Sequence, residues 1–276
     1  MRESFTAAVA RRAALAVLGL IWLIPTYLLV VNAARPVDED GTDNIWTPPG
    51  DFALLDNMRQ AWERVDLGPS LGSTLLYSLT GPALAVVIGA MAGFAISVLK
   101  LRWGFAWFLL IFGGTIFPTQ MLLIPLFLGY SEASLYDTRS GLVLIYTAIS
   151  VPFAAFVMRN FFTGVAYALY EAARIDGASI WRVFWRIYLP LCLPALGAVF
   201  VLEFTFIWND LLFGVTLSQS EQVRPIMTSV SALSSAYSGT RIPIVLAAGI
   251  VVSLPTVLLF LVTQRLFARG LALGQF

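Results

Sequence analysis

Apolar residues in this chain come in long runs, not at the spacing of a half-buried surface helix. A bilayer's hydrocarbon layer, about 30 Å thick, needs roughly 20 such residues per helix. Six stretches meet that need: 13–31, 71–99, 103–128, 141–162, 193–217 and 243–262. The pattern predicts an all-α membrane protein with six transmembrane helices, because a backbone in lipid must satisfy its own polar groups and a helix does so within one segment. Pro25, Pro118, Pro125, Pro152 and Pro255 fall inside these runs. Packed neighbours can re-satisfy the carbonyl that each one frees. Three longer segments lie between the runs: 32–70, 163–192 and 218–242. None reaches the ~50 residues of a small domain, so function must come from the spans and from partners: a first span at 13–31, a long loop at 32–70 and a block of five spans in 71–264, with short ends at 1–12 and 265–276.

Composition supports the membrane reading. The mean hydropathy is +0.83, with 59% of residues hydrophobic and 12% charged, far more apolar than a soluble domain. A net charge of +1 gives no basic surface for nucleic acid. The absence of histidine excludes a Ser-His-Asp triad and an imidazole proton shuttle, and removes the commonest zinc ligand. The single cysteine, Cys192, excludes an internal disulfide. The stretch from Arg2 to Arg12 followed by the run 13–31 is open to reading as a leader peptide. The run exceeds the 7–15 residues of a cleavable core and ends at Asn32 without a small-x-small site, so a retained anchor is expected.

Charge distribution gives an orientation. With the N-terminus inside, the inner segments hold eleven basic residues: Arg2, Arg11, Arg12, Lys100, Arg102, Arg159, Arg174, Arg182, Arg186, Arg265 and Arg269. The outer segments hold six: Arg35, Arg59, Arg64, Arg139, Arg224 and Arg241. That bias predicts both termini in the cytoplasm. Acidic residues gather outside, from Asp38, Glu39, Asp40 and Asp43 to Asp51, Asp56, Glu63 and Asp66.

The inner segment 163–192 carries a second pattern. A good helix former runs from Tyr170 through Glu171, Ala172, Ala173 and Arg174 to Asp176-Gly177, a natural C-cap and turn. A second helix should follow. Ile180, Trp181, Val183, Phe184, Trp185, Ile187 and Tyr188 spread over one broad arc, with Arg182 and Arg186 on a narrow polar stripe. Pro190 and Pro194 end this element and open the next span. Such a helix–turn–helix fits a rigid lever acting on a cytoplasmic partner. On amphipathicity alone it fits better an interfacial helix lying among lipid headgroups, its arginines facing anionic lipid.

The order Glu-Ala-Ala, three residues, Gly, nine residues, Ile-x-Leu-Pro is met by Glu171, Ala172, Ala173, Gly177, Ile187, Leu189 and Pro190. It resembles the EAA loop of ABC-importer permeases, and the fuller Glu171 to Ser179 stretch resembles the carbohydrate branch with maltose-type, six-span partners. Tyr136-Asp137-Thr138 before Gly141-Leu142, Pro152-Phe153, Trp208-Asn209-Asp210 and Gln264-Arg265 with Gly270 add to the resemblance, which covers most of the chain after residue 70. It implies that the loop docks in a cleft of an ATPase subunit, with Glu171, Ala172, Ala173, Asp176, Gly177, Arg182 and Arg186 as the coupling residues. It also implies a second, homologous permease in a heterodimer, two ATP-binding subunits, an extracytoplasmic solute-binding protein, a carbohydrate substrate and a bacterial inner membrane. No cofactor is expected on this chain. A Walker A loop needs Gly-Lys-Ser/Thr, and the only lysine, Lys100, precedes Leu101, so ATP and Mg belong on the partner ATPase.

For the pathway, ionisable groups inside a membrane are the first candidates. Glu203 is expected about eight residues into span five, and Asp210 two turns further along the same face, with Phe206, Trp208 and Asn209 adjoining. Carboxylates, amides and aromatic rings suit a polyol. A hydrogen-bonding role across the interface with the second permease is equally open. Gln120, between Pro118 and Pro125, is a further pathway candidate. The segment 218–242 reads either as a contact for the solute-binding protein or as a solvated connection. The tail from Gly270 departs from the family's usual ending. Competing functions are import of a glycerol phosphoester by the same machinery and ATP-independent secondary transport, with Glu203 and Asp210 as an ion-coupling pair.

Overall fold

The computed structural model describes residues 5–41, 44–116, 118–234 and 239–273; Arg2, Asp43 and the last three residues of the tail lie outside them. Among the described residues every regular element is helical. In chain order the helices are α1 (Phe5–Ala33), α2 (Leu54–Arg64), α3 (Leu67–Ser97), α4 (Gly104–Gly113), α5 (Thr119–Glu132), α6 (Arg139–Thr163), α7 (Tyr167–Ile175) and α8 (Ile180–Val183). A π-helical turn, Phe184–Tyr188, leads to α9 (Leu189–Leu191), α10 (Leu193–Trp208), α11 (Leu212–Leu217), α12 (Ile226–Leu233) and α13 (Ile242–Leu273).

Among the described residues, four helical segments are long and apolar enough to cross a membrane: Val9–Ala33, Leu67–Ser97, Arg139–Thr163 and Ile242–Gln264. A fifth arises if Ile180–Leu191 and Leu193–Trp208, bent by 74° at Cys192, count as one span. Six single helices were expected. The stretch 103–128 instead divides into α4 and α5, because Gly113 and Gly114 favour a turn and Pro118, with φ −58° and ψ 124°, restarts the chain outside helical geometry. The prolines at 25, 82, 125, 152 and 255 stay inside helices.

The chain divides into two compact units. One takes in the chain to Leu67 together with Val230–Leu254. Its segment after α1 is pinned down rather than a loose loop. Asn57 donates through Nδ2 to the carbonyls of Ala33 (2.9 Å) and Arg35 (2.8 Å), and the buried Arg35 donates to those of Asn44 and Thr47. Ala61, Leu233, Ile244 and Ala248 form its small core.

The other unit holds Gly68–Ser229 and the chain from Pro255. Its organising contact is the close approach of α3 to α6. Lipid offers apolar helices no hydrophobic drive to associate, so small residues that let backbones meet take over. A Cβ at Gly89 would stand 2.6 Å from Ala154 Cβ, and one at Gly93 would stand 2.8 Å from the Arg159 amide nitrogen. Around this crossing a first core cluster gathers Phe94, Met158, Phe162, Ala173, Phe184, Tyr188 and Val199. A second, built on Tyr77, Tyr146, Ile207 and Phe213, fills the other end of the same helices.

Candidate functional site

Two neighbourhoods carry the candidate residues: the connector between α6 and α10, and a cavity beside α10 and α11.

In the connector, α7 stops at a complete Schellman turn. Gly177 takes φ +77°, its amide bonds the Arg174 carbonyl (3.1 Å), and the Ala178 amide bonds the Ala173 carbonyl (3.0 Å). The Arg174 guanidinium donates to the Ala178 carbonyl at 2.7 Å. Ser179 caps α8 by accepting from the Arg182 amide. Of the expected coupling residues, Ala173 is buried against the first core cluster. Glu171, Ala172, Asp176, Gly177, Arg182 and Arg186 are all exposed. The predicted single apolar arc of the second helix divides in two: Val183, Phe184 and Tyr188 are buried, whereas Ile180, Trp181 and Trp185 face outward. Phe184 and Tyr188 meet Phe94 of α3 with ring centroids 5.3 and 5.0 Å apart. At its start, Tyr167 lies under Lys100, whose ammonium stands 3.7 Å from the ring centroid.

The larger cavity, about 820 Å³, falls in the range of small-molecule sites. Asn209, Asp210, Thr205, Phe206, Thr119 and Phe260 are among its lining residues. The exposed positions Leu202, Thr205, Phe206 and Asn209 recur at helical spacing, so α10 presents one face to it. Glu203 lies off that face. It is buried, accepts from Ser150 Oγ of α6 at 2.7 Å, and borders a smaller cavity of about 320 Å³ with Ile149, Phe153 and Phe206. Asp210 is not on the helix of Glu203, contrary to the expectation of one continuous face. The helix ends at Trp208, and Asp210 sits in the break before α11, accepting from Tyr146 Oη (2.8 Å) and the Gly214 amide (3.1 Å). A carboxylate there satisfies donors at the start of α11. Trp208 is 1% exposed and stacked on Phe204, away from the cavity lining. Gln120 is exposed in the first turn of α5, and only its neighbour Thr119 lines the cavity.

Sequence reasoning missed Tyr146 and Ser150, the partners of the two carboxylates. Their spacing of four on an otherwise apolar helix was the available sign. It also missed the clasp on residues 217–226. Asp137 Oδ1 accepts from the amides of Gln219 (2.8 Å) and Ser220 (2.9 Å) and from Ser220 Oγ (3.1 Å). Arg139 donates to the Gln222 carbonyl, Tyr77 Oη to that of Val223, and the Ile226 amide to Thr74 Oγ1. Partial burial pushes the Asp137 carboxyl up, but its three hydrogen bonds and the charge of Arg224 outweigh that and hold it below the usual carboxylate range.

The model of the binding-protein-dependent transport system inner membrane component family matches residues 84–272, more than half of the chain. The chain belongs to this family. It is therefore an inner-membrane permease component of a transport system. This permease is 27% identical over 260 residues to the melibiose/raffinose/stachyose import permease of Bacillus subtilis, covering 94% of this chain and 93% of that one. It is 27% identical to the diacetylchitobiose uptake permease of Streptomyces coelicolor, covering 94% and 85%. It is 30% identical to the lactose transport permease of Rhizobium radiobacter, covering 79% of each. Among solved structures, a bacterial ABC transporter that imports the acidic polysaccharide alginate aligns with a TM-score of 0.75 at 21% identity, over 96% of this chain and 99% of that one. At that identity the likeness establishes the fold.

Proposed function

We propose that this permease is one of two transmembrane subunits of an ATP-driven importer for a di- or oligosaccharide. A solute-binding protein delivers the sugar. Two ATP-binding subunits hold the ATP and Mg and supply the work, and a homologous permease completes the path. Both termini are cytoplasmic, as the bias of basic residues favours. The relatives named above all carry di- or oligosaccharide names.

The observation that carries the mechanism is the build of the connector. Its exposed side offers Glu171, Asp176 and Gly177, while Ala173, Val183, Phe184 and Tyr188 belong to the same core cluster as α3, α6 and α10. A push on the exposed side therefore reaches three spans through packed side chains and a closed turn, with no slack segment between. Packed cores are bistable rather than continuously deformable, so a ligand bound elsewhere can bias two arrangements of the bundle. The cavity beside α10 supplies aromatic rings, hydroxyls, an amide and a carboxylate, the groups that stack on and accept from a sugar. Among the described residues no arginine or lysine lines it, which disfavours a glycerol phosphoester.

Proteoliposomes holding the permease with its partners test the reading. ATP-dependent uptake of labelled oligosaccharide is expected, and Glu171→Lys and Gly177→Pro should abolish it while leaving the subunit in the membrane. Full uptake by both variants refutes the coupling role; uptake without ATPase subunits returns the chain to secondary transport.

A further inference from the structure

Among the described residues, nothing covers one surface of the connector's second helix. Ile180, Trp181 and Trp185 are 42%, 61% and 45% exposed. Arg182 and Arg186 follow them as a parallel stripe, one position further round the helix. Both are exposed and, among the described residues, neither has an ion-pair partner. Lys100, the nearest basic residue of the α3–α4 turn to this groove in sequence, is engaged on the Tyr167 ring.

Beside the exposed indole of Trp181 a cavity of about 180 Å³ opens towards α3, lined there by Met91, Phe94 and Leu99 and on the connector by Ile180, Trp181 and Phe184. A buried water needs two to four polar partners. The described residues that line this cavity are all aliphatic or aromatic, so its natural occupant is hydrocarbon. Tryptophan beside arginine at the end of apolar helices is the pattern of a membrane–water interface. The groove is joined through Cys192 to α10, an apolar helix, which keeps it close to lipid.

We propose that this groove binds an anionic phospholipid, one acyl chain in the cavity and the headgroup phosphate between Arg182 and Arg186. Basic side chains at a membrane surface favour anionic over zwitterionic lipid, and two of them give a preference on the order of tenfold or more. Guanidinium groups suit a phosphate because they donate in a fork. Such binding takes Arg182 and Arg186 from the ATPase contact that the resemblance implied and gives them to the lipid, so that the second helix settles in the headgroup layer while Glu171, Asp176 and Gly177 of the first remain free for a partner. The inference rests on the coupling reading only for the element's place at the membrane surface.

The complete transporter, in nanodiscs carrying photoactivatable phosphatidylglycerol or phosphatidylcholine with a diazirine in the acyl chain, provides the test. Crosslinks from phosphatidylglycerol are expected in peptides spanning 91–99 and 180–184. Arg182→Gln with Arg186→Gln should lower them about tenfold, while the double lysine variant retains them. Equal labelling by both lipids, or labelling unchanged by the glutamine pair, overturns the proposal. So does loss of labelling in the complete complex when the isolated permease is labelled, since a protein subunit then covers the groove. Labelling of an Arg182→Cys variant by impermeant reagent from each side reports separately on the orientation, so failure of that reading is distinguishable from failure of the lipid site.

Discussion

A methyl group added at Gly89 would stand 2.6 Å from the Cβ of Ala154 and 2.7 Å from the amide nitrogen of Ala155. Carbon atoms in good contact sit about 3.5–4.0 Å apart, so α3 and α6 must separate by roughly 1 Å to admit it. The obstruction is helix backbone, which cannot swing aside as a long side chain can. Overpacking of this kind costs about 1–3 kcal/mol. Alanine also gains about 1 kcal/mol over glycine in helix propensity, which would blur a comparison with wild type. Gly72, on the same helix, has nothing within 4 Å of its virtual Cβ and gains the propensity without the clash. The difference between Gly89→Ala and Gly72→Ala therefore isolates the crossing. At about 2–4 °C per kcal/mol for a chain of this size, Gly89→Ala should melt about 2–12 °C below Gly72→Ala, read by fluorescence-detected size exclusion after heating in detergent. If Gly89→Ala melts with or above Gly72→Ala, the close approach does not hold this unit together.

Gly177→Ala places a Cβ at φ +77° and should cost about 1–2 kcal/mol, lowering sugar moved per ATP hydrolysed. Gly177→Asn, which tolerates that conformation better, should lie between alanine and wild type in the same ratio. Asp137→Asn should speed hydrogen exchange at the Gln219 and Ser220 amides about tenfold. In the wild type the folded carboxyl titrates below its unfolded value, so its contribution is complete above about pH 4 and fades as pH falls through the folded value. The Asn variant should lack that acid-side fading of protection, measured by exchange across the range. Ser150→Ala removes the donor to Glu203 and should destabilise by about 1–3 kcal/mol, whereas Glu203→Gln can keep that bond. Transport by Glu203→Gln equal to wild type would make Glu203 a packing residue and remove it from the pathway.

The features legible in the sequence are those decided locally. The turn at Gly177 was readable because a glycine, free to take the left-handed region, directly follows a good helix former and Asp176. What failed was extrapolation through points where neighbours decide. The run 103–128 is apolar throughout, and nothing local says that Gly113-Gly114 and Pro118 break it rather than bend it. Asp210 was placed on the face of Glu203 by continuing a helix that stops at Trp208, where Asp210 and Tyr146 of α6 offer the backbone a different arrangement. Trp208 resembled a sugar platform by residue type. Its partner Phe204, one turn back, leaves it in the core. The two faces of the second connector helix are inseparable by periodicity alone, because both are apolar and only contact with Phe94, some ninety positions earlier, tells them apart.

The contact between Lys100 and Tyr167 has a practical corollary. Lys100 is the sole lysine of the chain, and it rests on the first residue of α7. An amine-directed fluorophore would thus mark one internal site of the untouched subunit, beside the helix proposed to receive the ATPase stroke. Tyrosine quenches many dyes on contact. Displacement of α7 would register as a change in emission, giving a time-resolved readout of coupling from a permease with no engineered residue.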